Sequence, residues 1–150
     1  MLVTSRGQAI HFKESDVRAM GRSAAGVRGI KLKKDDSIVG MLTSEKENLK
    51  KNTVMIITEK GYAKQTKLSL YKIQGRGGSG IKTAKITSKN GKIINARKIT
   101  ADCEEMLAMS QKGQTIRLKI KDVTTQGRTT QGVRIMRLKS GDKVAAVALV

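Results

Sequence analysis

The sequence predicts an all-β fold, a partial β-propeller of three roughly four-stranded blades. The 150 residues include 15 glycines and no proline, so Gly, Asn and Asp must form the sharp turns. A glycine-anchored segment occurs three times, and in each copy short apolar or alternating segments are separated by polar turns. Four strands in about fifty residues is the size of one propeller blade.

Three equivalent glycines, which lie 54 and 52 residues apart, mark the repeat: Gly7, Gly61 and Gly113. Each is followed 14 positions later by a second glycine and, after five more positions, by a third. These later glycines define the pattern G-R-x-x-x-G-[VI]-[RK], which is present in MGRSAAGVRGIKL, QGRGGSGIKTAKI and QGRTTQGVRIMRL. We therefore expect repeats over approximately residues 1–54, 55–106 and 107–150.

Each repeat is predicted to contain four strands in the same order. The first strand covers residues 2–4, 55–58 and 106–109 in the three copies. The second alternates most clearly in 115–121, where Ile116, Leu118 and Ile120 share one face. The third follows the glycine loop at 27–32, 81–86 and 133–138. The fourth follows a polar turn at 38–41, 93–96 and 144–147.

The predicted third strand breaks strict alternation. In the first repeat Val27 should point inward, yet so should Ile30 and Leu32, which shifts the pattern by one residue. We expect a bulge at this position in each copy, near Gly29, Thr83 and Ile135. Such a bulge would turn the basic residues of the strand toward solvent.

Charge is the strongest functional signal. Lysine and arginine number 31 against 12 acidic residues, a net charge of +19, and the repeats carry +5, +7 and +7. This excess predicts a polyanionic partner, whereas an aromatic content of 2% argues against a base-stacking platform for single strands. The single Cys103 and single His11 exclude a disulfide framework and a multi-cysteine zinc site. We expect a cytoplasmic protein with no membrane span, no metal, no cofactor and no catalytic residue.

Basic residues occupy the same five positions in every repeat, counted from the first glycine. Chance placement would give fewer than one such column, so we expect a continuous basic stripe along successive blades. The fifteen candidate DNA-binding residues, column by column, are Arg6, Lys60 and Lys112; Lys13, Lys67 and Lys119; Arg22, Arg76 and Arg128; Arg28, Lys82 and Arg134; Lys31, Lys85 and Arg137.

The glycine loop 75–80 formally matches the dinucleotide pattern G-x-G-x-x-G. That fingerprint also needs an acidic residue about 20 positions on, where this chain has Arg97. We interpret the loop instead as a phosphate cradle of backbone N–H groups with the Arg76 guanidinium. Tyr62 and Tyr71 have no evident acid, base or metal partner in the sequence, so we assign them structural roles.

Three segments, RGQAI (6–10), FKESDVRAMG (12–21) and GVRGIKL (26–32), closely resemble the C-terminal domain of the bacterial DNA gyrase A protein. The similarity covers the whole chain. It implies a β-pinwheel, in which neighbouring blades exchange strands and duplex DNA bends around a basic rim. It also implies that the chain forms the last three blades of this DNA-wrapping domain. The partners implied are the rest of the gyrase A protein and the gyrase B protein.

The family carries a signature heptapeptide, Q-R-R-G-G-K-G, to which residues 74–80 are similar. Gly75 replaces the first arginine and Ser79 replaces the lysine. The resemblance implies a degenerate copy of this element, and the positions that match it are Gln74, Arg76, Gly77, Gly78 and Gly80.

Other functions remain open from the sequence. The equivalent C-terminal domain of topoisomerase IV is similar to the gyrase domain, and small basic chains without tryptophan also bind structured RNA. A small enzyme that binds a nucleotide at the glycine loop is a third alternative. Three blades also leave sheet edges open, which predicts self-association or a strained partial ring.

Overall fold

The computed structural model describes residues 1–150 as three antiparallel sheets. The first repeat contributes β1 (Leu2–Thr4), β2 (Gln8–Ile10) and β3 (Ile38–Met41). The second contributes β4 (Thr53–Thr58), β5 (Tyr62–Lys67), β6 (Ile81–Lys82) and β7 (Ile93–Ile99). The third contributes β8 (Glu105–Ser110), β9 (Thr115–Lys119), β10 (Val133–Arg134) and β11 (Val144–Leu149). The all-β class and the three-bladed plan are confirmed.

All helical structure consists of four short 3-10 turns, Glu14–Asp16, Lys46–Asn48, Leu68–Leu70 and Ile120–Asp122. None of them has the length or the apolar character that crossing a membrane requires. Three of the turns follow the second strand of a repeat, so they are part of the repeated plan.

The sheets exchange strands between neighbouring repeats. Their strand orders are β3-β1-β2-β6, β10-β5-β4-β7 and β11-β8-β9. β6 belongs to the second repeat in sequence but pairs with β2, where Lys82 lies opposite Gln8. β10 of the third repeat pairs in the same way with β5, where Arg134 lies opposite Tyr62. Each third strand therefore completes the preceding sheet, as the resemblance implied.

The third strand is shorter than the sequence predicted. It contains two residues in the second and third repeats, and 27–32 forms no strand. Only the first residues after the loop reach the edge of the preceding sheet. Within this chain, 27–32 has no preceding sheet to pair with.

The predicted bulges explain where these strands end. The N–H groups of Thr83 and Ala84 both donate to Gly7 O, at 2.8 and 3.4 Å. The N–H groups of Ile135 and Met136 both donate to Gly61 O, at 2.8 and 3.2 Å. Two residues opposite one is the hydrogen-bond pattern of a bulge, which confirms the prediction at Thr83 and Ile135. The bulge predicted at Gly29 is wrong, because that segment is not a strand.

The remaining strands agree with the sequence, with longer ends. β1 and β3 have the predicted bounds, whereas β7 and β11 run beyond them to Ile99 and Leu149. In the third repeat Ile116 and Leu118 are half-buried and Ile120 is buried, which confirms the shared apolar face. The strand itself ends at Lys119, where the 3-10 turn begins.

β4 lies between the two main parts of the core. Val54 and Ile56 on one of its faces pack in a cluster that includes residues of the first repeat. Met55 and Ile57 on the other face pack with residues of the third. Because both faces of β4 are buried, one strand joins three repeats in a continuous packed structure.

Tyr71 and Tyr62 are part of this packing, and their predicted structural roles are confirmed. Both side chains are buried, and the Tyr71 hydroxyl lies 2.5 Å from Thr83 Oγ1. Burial raises the pKa of Tyr71, and its hydrogen bond with Thr83 opposes that rise. The phenol is therefore held neutral in the core.

Candidate nucleic-acid interface

Thirteen of the fifteen column residues are exposed, and the other two, Arg76 and Arg128, are half-buried. The exposed set includes every basic residue of the third-strand segments: Arg28, Lys31, Lys82, Lys85, Arg134 and Arg137. The prediction that these six side chains face solvent is confirmed. The five columns nevertheless differ in what their side chains contact.

The first column connects two turns within each repeat. Arg6 Nη1 donates to Lys34 O at 2.9 Å. Lys60 Nζ and Lys112 Nζ donate to the equivalent carbonyls, those of Ser88 and Ser140, at 2.5 and 2.9 Å. These cations therefore stabilise the turn before the fourth strand. Their recurrence has a structural cause as well as an electrostatic one.

The same turns contain a polar column that the sequence analysis missed, formed by Asp36, Asn90 and Asp142. Asp36 Oδ1 accepts hydrogen bonds from Ser5 Oγ and from the N–H of Arg6, both at 2.9 Å. Partial burial tends to raise the pKa of Asp36, but these hydrogen bonds outweigh it and lower the pKa below its usual value. The signal was available, because these three positions have the same spacing of 54 and 52 residues as the first glycines.

Two residues of the third column, Arg76 and Arg128, connect successive repeats, whereas Arg22 is exposed and forms no hydrogen bond. Arg76 donates through Nη1 to Arg28 O at 2.5 Å and through Nε to Asp16 O at 3.1 Å. Arg128 Nη1 donates to Lys82 O, the equivalent carbonyl one repeat later, at 3.0 Å. The first repeat therefore uses two of the five N–H donors of the Arg76 guanidinium, and the phosphate cradle at 75–80 stays a prediction.

The loop 75–80 packs on the first repeat through its backbone as well. Gly77 has a φ of +82°, and its N–H donates to Gly29 O at 2.8 Å, while Lys31 N–H donates to Gly78 O. A Cβ on Gly80 would lie 2.5 Å from Ala9 O. The residues that resemble the signature heptapeptide, Gln74, Arg76, Gly77, Gly78 and Gly80, thus form a docking loop between repeats.

Three columns keep their side chains free. None of the nine side chains forms a hydrogen bond or a salt bridge within the chain: Lys13, Lys67, Lys119, Arg28, Lys82, Arg134, Lys31, Lys85 and Arg137. An exposed cation with no protein partner keeps its charge available to a ligand. These nine residues are the strongest candidates for phosphate contacts.

Two of the free columns meet the first column in a groove between the second and third repeats. The groove encloses about 850 Å³, and Asp142 is its only acidic residue. Its basic residues are Lys60, Lys89, Arg134, Arg137, Lys139 and Lys143. Side chains of two repeats therefore form one cationic surface, which can contact several neighbouring phosphates.

Sequence reasoning missed three cations of this groove, Lys89, Lys139 and Lys143. They lie in or beside the polar turns, whose positions were predicted but whose approach to the next blade was not. Lys89 Nζ is 5.9 Å from the centroid of the Tyr62 ring, within cation–π range. Lys143 Nζ pairs with Glu59 Oε2 at 2.9 Å, so its charge is partly compensated.

Comparison with known proteins agrees with this architecture. The model of the family described as "DNA gyrase C-terminal domain, beta-propeller" matches residues 1–45, 52–100 and 104–150. The chain belongs to this DNA gyrase C-terminal domain family. The DNA gyrase A protein of Staphylococcus epidermidis is 41% identical over all 150 residues, and that of Staphylococcus aureus strain MRSA252 is 38% identical. The chain spans 16% and 17% of the length of these two relatives.

Solved structures show the same relationship. A DNA gyrase A C-terminal domain matches 99% of the chain with a TM-score of 0.83 and 29% identity, and the match covers 49% of that domain. The C-terminal domain of a DNA topoisomerase IV matches 99% of the chain with a TM-score of 0.86 and 27% identity, and the match covers 45% of that domain. The gyrase C-terminal fold therefore extends over the whole chain.

Proposed function

We propose that this chain binds and bends duplex DNA as part of the DNA-wrapping domain of DNA gyrase, an ATP-dependent type II topoisomerase that introduces negative supercoils. One observation carries the proposal: nine exposed cations without protein partners recur in step with the blades. Membership of the gyrase C-terminal domain family supports the same conclusion. The proposed setting is the bacterial cytoplasm.

The proposed binding mode follows from the electrostatics of duplex DNA. Each neutralised phosphate releases condensed counterions, so a surface with many separate cations gains affinity without reading bases. Bending a short duplex costs on the order of 1 to 6 kcal/mol, and contacts must be distributed along the bend to offset that cost. Cations on successive blades provide such a distribution, and binding should be nearly independent of sequence.

The proposed protein partners are the rest of the gyrase A protein and the gyrase B protein. Topoisomerase IV is the second candidate, since a C-terminal domain of that enzyme is as similar in structure as the gyrase domain. The curated relatives at 38–41% identity are gyrase A proteins, which favours gyrase.

The central test removes one free column. In the triple variant Arg28→Ala, Lys82→Ala, Arg134→Ala, duplex affinity should fall steeply, because three phosphate contacts are lost together. The log-log dependence of affinity on salt should flatten by about 0.9 for each lost contact. The matched control is Lys46→Ala, Lys50→Ala, Lys51→Ala, which removes the same charge from positions outside the columns.

Affinity is measured by fluorescence anisotropy over a salt series, and bending by energy transfer between dyes at the two ends of the duplex. If the two triple variants lose the same amount of duplex affinity, the total charge of the chain determines binding and the positions of the columns do not. That result would refute the proposal. A structured RNA that outcompetes the duplex would also refute it, in favour of RNA binding.

A further inference from the structure

Lys64 is a buried lysine beneath the glycine loop of the third repeat. Its side chain has no exposed surface, although it lies on β5 in the second repeat. The ammonium group donates to Gly127 O at 2.7 Å, to Arg128 O at 2.8 Å and to Thr130 Oγ1 at 3.1 Å. All three of its N–H donors are used, and every acceptor belongs to this one loop.

The fold does not require a lysine at this position. The equivalent residues of the first and third repeats are Ile10 and Ile116. Ile10 is equally buried, and its Cδ1 would lie 3.8 Å from a Cβ at Gly78 in the equivalent loop. Where a buried isoleucine suffices for packing, a buried charge needs another explanation, since burying it is costly.

The loop 127–132 uses its carbonyls and N–H groups very differently. Lys64 occupies the carbonyls of Gly127 and Arg128. Lys85 N–H donates to Thr130 O at 3.0 Å, and Asn90 Nδ2 to Gln131 O at 3.4 Å. Four of the six carbonyls are therefore occupied, whereas none of the six N–H groups donates to another protein atom. Successive free N–H groups favour binding of an anion.

The surroundings of Lys64 lack a negative charge. The chain has two salt bridges, Arg117 with Glu105 and Lys143 with Glu59, and Lys64 is in neither. The charged residues of the loop, of β10 and of β5 itself are the cations Arg128, Arg134 and Lys67. The 3-10 turn that bonds the neighbouring Gln65 carries exposed Lys121 and Asp122. β4 carries no charged residue, and the phenol of Tyr71 is held neutral.

Burial, and then the proximity of Arg128, lower the pKa of Lys64 to about 8. The ammonium therefore titrates close to neutral pH. An anion bound at the loop would supply the missing counter-charge and favour the protonated form.

We infer that the loop 127–132 is a phosphate-binding loop and that Lys64 positions its backbone for binding. The inference rests on the proposed function, with a backbone phosphate of the duplex as the ligand. Lys64 lies on the buried side of the loop. By donating to the carbonyls of Gly127 and Arg128 it fixes their peptide planes and leaves the N–H groups of the loop free. Arg128, which Lys82 O holds beside the loop, adds a guanidinium to the site.

The experiment compares duplex affinity at pH 7 and pH 9, at constant ionic strength, in the wild-type chain and in Lys64→Met. Wild-type affinity should fall about five- to tenfold between these pH values, because phosphate binding is coupled to protonation of Lys64. Lys64→Met should bind more weakly at pH 7 and show no such fall. The control Lys72→Met removes an exposed charge that lies close to the same strand but outside the columns, and it should keep the wild-type pH profile.

A second measurement uses the wild-type chain alone, so the inference does not depend on the folding of Lys64→Met. Side-chain NMR of lysine should show that the duplex raises the pKa of Lys64, and amide signals of 127–132 should shift on binding. Inorganic phosphate serves as the competing source of the anion and should shift these amides more weakly.

Wild-type binding that is equal at pH 7 and pH 9 would overturn this inference and leave the proposed function standing. An unchanged pKa of Lys64 in the complex would do the same. Larger amide shifts with inorganic phosphate than with the duplex would assign the loop to a free anion and overturn the inference. A chain that does not bind duplex DNA at all would overturn both.

Discussion

Two equivalent loops of successive repeats, 75–80 and 127–132, have the same skeleton and different contacts. Each is linked to the preceding repeat by its arginine, Arg76 or Arg128, which donates to the carbonyl of Arg28 or of Lys82. Each also accepts a backbone hydrogen bond from that repeat, at Gly78 O or Thr130 O. The shared contacts belong to the propeller plan.

The differences lie beneath the loop and within its backbone. Loop 75–80 lies over Ile10 and uses the left-handed Gly77 to bond Gly29. Loop 127–132 lies over Lys64, and Thr129, which replaces Gly77, has no positive φ. One of the six N–H groups of loop 75–80 donates to a protein atom, and none of the six in loop 127–132 does. The comparison teaches that one skeleton can lie over a buried isoleucine in one blade and over a buried ammonium that binds its carbonyls in the next.

The largest expected effect comes from replacing the last glycine of each loop, Gly80 or Gly132. A Cβ on Gly132 would lie 2.6 Å from Ala63 O, and its φ is +87°, while Gly80 faces Ala9 O in the same way. Gly132→Ala and Gly80→Ala should each lower the free energy of unfolding by about 2 kcal/mol or more. Urea denaturation measures this loss.

The control for this prediction is Gly127→Ala, which introduces the same methyl group where nothing lies within 4 Å. It should be nearly neutral. If Gly132→Ala and Gly127→Ala unfold at the same urea concentration, the close backbone approach does not define the loop.

An intermediate effect should separate the two arginines. Arg128→Ala should weaken duplex binding about three- to tenfold, because its guanidinium makes a single protein hydrogen bond and lies beside the loop whose carbonyls Lys64 binds. Arg76→Ala should change affinity less than about twofold and instead cost about 1 kcal/mol of stability, because it breaks hydrogen bonds to the first repeat. Anisotropy titrations and urea denaturation measure the two quantities, and an equal loss of affinity in both variants would contradict the distinction.

The smallest effect concerns pH and stability. The pKa of Lys64 is about 8 in the folded chain and 10.5 as its ordinary value, so between these values the unfolded chain binds more protons. The free energy of unfolding should therefore rise with pH from about 8 toward 10, by on the order of 1 kcal/mol. Above pH 10 the raised pKa of Tyr71 acts in the opposite direction.

Denaturation of the wild-type chain and of Lys64→Met across this pH range tests the prediction. The difference in unfolding free energy between the two should change with pH in the stated direction. A constant difference would show that Lys64 keeps its proton throughout.

Much of the fold was predictable because glycine spacing and apolar patterning are local properties of the chain. β1, β3 and the alternating face of Ile116, Leu118 and Ile120 followed from them directly. The third strand was predicted too long, since its length depends on how far the bulge at Thr83 or Ile135 lets the chain follow a sheet edge from another repeat. Periodicity carries no information about that edge.

The candidate site was predictable in part. The columns gave the positions of the cations, and exposure of the third-strand residues followed from the expected bulge. Which columns are free did not follow, because Lys60 and Arg76 donate to carbonyls that are distant in sequence. Lys64 was missed altogether, since a lysine in a strand gives no sign of being buried.

The sequence by itself determined the repeat, the all-β class and the excess of positive charge, because these properties depend on composition and local spacing. Only the tertiary structure decided which sheet each third strand joins, which cations remain free and what lies beneath each glycine loop. Those outcomes depend on hydrogen bonds and packing between residues that are tens of positions apart. A cationic side chain is fully available to bind a ligand anion only where no other group of the folded chain already pairs with it.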